Sequence, residues 1–89
     1  MIMGHNDIHI LYLDDDHAMA RLVQKRLNKA GYNVEIAHDG EQGLSVCQER
    51  VFDLVALDYR MPGSNGLEVI RKLIDQENVP PIIMVTGSG

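Results

Sequence analysis

The chain has a single cysteine, Cys47, so no internal disulfide can form. That usage suits a reducing compartment. Basic residues are outnumbered: 8 Lys and Arg stand against 13 Asp and Glu, giving a formal charge of −5 and a pI of about 5.1. This balance argues against a nucleic-acid surface on the segment, because neutralising phosphates needs clustered Lys and Arg. No apolar run approaches the length needed to span a bilayer, and the opening "MIMGHND" lacks the basic start and apolar core of a signal peptide. Repeats, low-complexity tracts and linker-like stretches are also missing. What remains is an ordinary globular composition, 45% hydrophobic over 89 residues, enough for one small domain with a modest core. The expectation is a soluble cytoplasmic domain without membrane or direct nucleic-acid contacts.

Short apolar runs alternate with helical periods. Residues 8–13 form an apolar run broken only by His9, as expected of a strand covered on both faces. Met19, Leu22, Val23, Leu27 and Ala30 then recur at helical spacing, and Gly31 stands where that helix would stop. "NVEIA" alternates like a half-exposed edge strand, "GEQGLSVCQER" forms a second helix that Gly43 weakens, and "FDLVALD" is a third strand. After the turn-rich "YRMPGSNG", Leu67, Ile70, Leu73 and Ile74 give a third helix its buried stripe, with Asn65 and Glu68 as start signals. "PPIIMV" is a fourth strand. Strand–helix repeated three times and closed by a strand predicts an α/β fold with a parallel sheet covered by helices on both faces.

In such a sheet every strand's carboxyl end lies on one rim, where ligands bind. Asp14 and Asp15 close the first strand, Asp58 the third and Thr86 the fourth. If the first and third strands are neighbours, three carboxylates converge. Such a group either takes up a proton at a raised pKa or is neutralised by a divalent cation. An all-oxygen set favours a hard ion, Mg2+ above all, which keeps several waters and uses one or two carboxylates plus phosphate oxygens. A free carboxylate and a hydroxyl beside that ion suit phosphoryl chemistry. Pro62 and Gly63 suit a sharp turn after Asp58 that lets a main-chain carbonyl near Arg60 face the ion, and Gly87 leaves room for a phosphoryl group.

The segments "ILYLDDD", "AHDGEQGL", "FDLVALDYRMPGSNGLEVI" and "PPIIMVTG", in this order and spacing, resemble the receiver domain of two-component response regulators. The resemblance implies a flavodoxin-like fold with a five-stranded parallel sheet of order 2-1-3-4-5 and five helices. It implies that Asp58 is the phosphoacceptor, taking a phosphoryl group from a phosphohistidine on a sensor histidine kinase or phosphotransfer protein. Asp15 and Asp58 would ligate Mg2+ directly, Asp14 largely through water, and the Arg60 backbone carbonyl would complete the protein ligands. Thr86 would be the switch hydroxyl, with Gly87 beside it. The Arg60 side chain and Ser88 would tune the lifetime of the phosphoryl group. The family continues after Thr86 with a fourth helix, a fifth strand bearing a Lys, and a fifth helix. No Lys follows Lys72 here, so residues 1–89 read as an incomplete receiver domain with an unknown output. The missing layer would leave apolar surface open, and the 89-residue chain is expected to self-associate.

Other readings compete. "DDD" alone reads as a solvated turn, and Asp16 is expected to cap the first helix. Asp39 is expected to start the second helix, and Cys47 to be a core thiol. Thr86 alone is an ordinary strand residue. His5, His9, His17 and His38 are scattered without ligand pairing, although His17 lies beside the acidic turn. Asp14 and Asp16 form a D-x-D that looks like the opening motif of haloacid-dehalogenase-type phosphatases, with Asp14 as nucleophile, but Ala18 stands where Thr or Ser is usual and Asp58 goes unexplained. A pseudo-receiver, used for protein contacts alone, would keep the fold without the chemistry.

Overall fold

The computed structural model describes residues 8–58, 71–72, 74–75 and 80–85. Strand β1 (His9–Leu13), helix α1 (His17–Lys29), β2 (Asn33–Ala37), α2 (Gly40–Glu49), β3 (Leu54–Asp58) and β4 (Ile82–Val85) follow in that order. The strands form one parallel sheet in the order β2-β1-β3-β4. The flavodoxin-like α/β architecture and the edge position of "NVEIA" are thus as expected. Of the expected third helix, Arg71, Lys72 and Ile74 are helical, and the Asp75 N–H donates to the Arg71 carbonyl at 3.1 Å. Leu67, Ile70 and Leu73 of its stripe lie outside the described residues. Ile74 is 59% exposed and is not part of a buried stripe.

Successive side chains of each strand alternate between the two faces. Leu11, Leu13, Ala37, Val55 and Leu57 therefore build one core, with Ile82 and Met84 against it and Leu44, Val46 and Cys47 of α2 on top. Ile10, Tyr12 and Val34 build the other, covered by Ala20, Val23 and Leu27 of α1. Leu11, Leu13, Val55 and Leu57 are fully buried, each contributing about 1.5–3 kcal/mol of burial free energy.

Helix α1 is punctuated at both ends. The Asp16 side chain accepts from the Met19 N–H at 3.0 Å, the expected N-cap. Past its last turn, the Gly31 N–H donates to the Asn28 carbonyl and the Tyr32 N–H to the Leu27 carbonyl, both at 3.0 Å. That reciprocal pattern needs a left-handed residue at its corner, and Gly31 supplies it with φ 105°. In α2, Asp39 caps Gln42 N–H at 2.7 Å as expected, and the Gln42 side chain returns to the His38 N–H at 2.7 Å.

Helical spacing marked Met19 and Leu22 among the apolar positions of α1, yet they are 47% and 44% exposed. The fully buried α1 side chain is Ala20. A methyl at the contact lets the helix axis approach the sheet, and the flanking larger residues are left outside.

Candidate functional site

The order β2-β1-β3 means that the chain leaves β1 toward one edge and returns on its other side to build β3. The crevice at such a reversal, beyond the strands' carboxyl ends, is where open α/β sheets bind ligands. Leu13 pairs with Leu57, so Asp14 and Asp58 are the next residues on adjacent strands. Neighbouring strands lie about 4.8 Å apart. Asp58 pairs in turn with Val85 at the end of β4. The Asp58 side chain, Arg60, Thr86, Gly87 and Ser88 lie outside the described residues.

Asp14 is 1% exposed and the only charged side chain buried among the described residues. Its environment compensates that burial. The Tyr12 hydroxyl donates to Oδ2 at 2.9 Å and the Asp16 N–H to Oδ1 at 2.9 Å. Its own N–H donates to the Ala37 carbonyl at 3.0 Å, continuing the β1–β2 ladder by one residue. The His38 Nδ1 lies 3.2 Å from the Asp14 carbonyl oxygen and donates to it in the Nδ1-protonated tautomer. Asp15, next along, is half-buried, and Asp16 is an exposed helix cap. The three consecutive aspartates thus divide into a buried anchored carboxylate, an accessible one, and a cap.

The His17 and His38 rings stack with centroids 3.6 Å apart and planes within 2°. Scattered in sequence, they are neighbours in space. Parallel stacking is a ring contact and not a chelating arrangement. Among the described residues no group of three His, Cys, Asp or Glu side chains is placed to hold a metal ion. The oxygen-only donors of the turn nevertheless match Mg2+, which takes few protein ligands and retains water.

Cys47 packs half-buried against the α2-side core, and burial pushes its thiol pKa up. It is a core thiol, away from the rim chemistry. Sequence reasoning missed the roles of two residues beside the acidic turn, Tyr12 and His38. Tyr12 carried a readable signal: two positions before Asp14 on a strand, it shares that residue's face. His38 reaches the turn from a separate loop, which no local pattern reveals.

Residues 10–89 match the family model of the response regulator receiver domain. Among curated proteins, the uncharacterized transcriptional regulatory protein YkoG of Bacillus subtilis is 41% identical over 79 residues, covering 89% of this chain and 35% of that protein. The transcriptional regulatory protein CpxR of Klebsiella pneumoniae is 41% identical over 80 residues, covering 90% and 34%. Among solved structures, the chemotaxis response regulator CheY4 of Vibrio cholerae matches with a TM-score of 0.81 and 33% identity, covering 86% of this chain and 66% of that one. A chain of the complex between histidine kinase ThkA and response regulator protein TrrA matches with a TM-score of 0.82 and 33% identity, covering 92% and 71%. This chain therefore spans about a third of the length of the curated relatives and about two thirds of these solved chains. The family match runs over residues 10–89, and the chain belongs to the response regulator receiver domain family.

Proposed function

We propose that residues 1–89 are the leading part of a receiver domain in a cytoplasmic phosphorelay and that Asp58 is its phosphoacceptor. The observation that carries this reading is the strand register, which sets Asp58 beside the Asp14–Asp15 turn at the reversal of strand order. The relatives named as transcriptional regulators and the chain of a kinase–regulator complex support a signalling role. The donor is a phosphohistidine on a sensor histidine kinase or phosphotransfer protein. An output domain of unknown type receives the signal. No helix among the described residues is long and apolar enough to cross a membrane.

In the proposed transfer, an Asp58 carboxylate oxygen attacks phosphorus while the P–N bond of the phosphohistidine breaks. The leaving imidazole nitrogen keeps the electron pair and the phosphoryl group ends as an acyl phosphate. Bound Mg2+ supplies charge neutralisation at the phosphoryl oxygens. Asp15 and Asp58, with the Arg60 carbonyl, would hold the ion directly and Asp14 through water. Thr86 would donate its hydroxyl to the phosphoryl group, with Gly87 leaving space for it. Added charge at the rim then shifts the surrounding loops, while Ser88 and the Arg60 side chain set how readily water reaches the adduct. The domain assists its own modification but acts as substrate and regulator.

Asp14 makes a poor nucleophile by comparison. It is 1% exposed and both its oxygens already accept protein donors, which leaves little access for in-line attack on a phosphoryl donor. Treatment with acetyl phosphate and Mg2+, followed by mass-spectrometric mapping of the acyl phosphate, tests the assignment. The expected adduct is on Asp58, lost in Asp58→Asn. An adduct on Asp14 would support the phosphatase reading, and no adduct from any donor would leave a protein-contact module.

A further inference from the structure

The buried carboxylate at the head of the pocket is held from two sides by residues outside the aspartate set. From the α1 face of the sheet, the Tyr12 phenol, itself 6% exposed, donates to Asp14 Oδ2 at 2.9 Å. From the loop between β2 and α2, His38 Nδ1 meets the Asp14 carbonyl oxygen at 3.2 Å, and the His38 ring lies flat on His17 at 3.6 Å. One contact fixes the side chain and the other the backbone of the same residue. Between them they oppose rotation of the carboxylate and movement of the turn relative to β2.

We propose that Tyr12 and His38 are positioning residues that set the affinity of the acidic turn for its divalent cation. The inference rests on the cation-site reading above and deepens it. The packed phenol holds Oδ2 in one place, so the carboxylate keeps a fixed orientation toward a metal-bound water. Asp15, half-buried and following directly, is thereby presented toward the crevice. Such outer partners orient first ligands, and removing one typically weakens metal affinity about 10–100-fold. Neither residue touches the phosphoryl group in this account. The effect belongs to cation binding and not to the transfer step at saturating cation.

The test is calorimetric titration of the unphosphorylated chain with Mg2+, on the wild type, Tyr12→Phe, His38→Ala and His38→Asn. Tyr12→Phe keeps the ring in the core and removes only the donor. His38→Asn keeps an amide donor near the place of Nδ1. The expected result is about tenfold weaker Mg2+ binding in Tyr12→Phe and in His38→Ala, recovery to within about threefold in His38→Asn, and unchanged circular dichroism. Acetyl-phosphate labelling of Asp58 at saturating Mg2+ should stay within twofold of wild type. Folded Tyr12→Phe and His38→Ala proteins that bind Mg2+ as the wild type does would overturn the inference while leaving the site reading intact. Should Tyr12→Phe fail to fold, the His38 pair decides alone. A wild-type chain that binds no Mg2+ would remove the cation site itself and this inference with it.

Discussion

Single positions show how much chemistry a sequence displays and where it goes silent. The division of labour within "DDD" was legible for Asp16, whose placement just before a helical period makes it a cap, and it does cap Met19. The burial of Asp14 and the half-exposure of Asp15 were not legible, because both lie just past β1 (His9–Leu13), and the phenol that makes burial tolerable had to be seen. Gly43 is the sharper case. In sequence it is a helix-weakening residue. In the structure a Cβ there would lie 2.5 Å from Leu13 Cδ2 and 3.1 Å from its Cγ. Alanine gains about 1 kcal/mol of helix propensity. Against that, Leu13 is fully buried and has little room to rotate, and overpacking costs about 1–3 kcal/mol. Gly43→Ala is expected to lose about 1 kcal/mol net, read as a lower urea midpoint with unchanged slope. A raised midpoint would show that Leu13 gives way freely.

Among elements, the strands were legible because a buried parallel strand is a short apolar run with few alternatives, whereas their order came only from the family resemblance. The helices were legible in extent but not in rotation. Met19 and Leu22 share a helical period with Val23 and Leu27, yet Ala20 joins Val23 and Leu27 against the sheet while Met19 and Leu22 stay exposed. The two ends of the sheet differ in protection. At β2 the outward Val34 carbonyl accepts from Gln24 Nε2 at 2.9 Å, and the Val34 N–H donates to Asn28 Oδ1 at 3.2 Å. Side chains of α1 thus occupy an edge that would otherwise invite another strand. At the other end, Ile83 pairs with Ala56 on the α1 face and is 50% exposed. We propose that a second copy of the 89-residue chain covers this region. Sedimentation is expected to show a dimer or larger species, shifted toward monomer in Ile83→Lys. A compact wild-type monomer at the same concentration would contradict it.

For the molecule as a whole, function is a consequence of topology. Residues 14, 15 and 58 are separated by more than forty positions in the chain, and only the β2-β1-β3 order makes the first two neighbours of the third. Two cores, one per sheet face, hold those strands rigid, so the rim acids are presented by the most buried part of the protein. Family membership agrees with this, and the receiver match extends over residues 10–89. The central claim is that one divalent cation sees both strand ends at once. Substoichiometric Mn2+, a paramagnetic stand-in for Mg2+, titrated into isotope-labelled chain reports this through line broadening. The account predicts that the amide signals of Asp15, Asp16, Asp58 and Gly87 broaden together, before those of α1's last turn or β2's start. Broadening confined to residues 14–16, with Asp58 and Gly87 untouched, would contradict it.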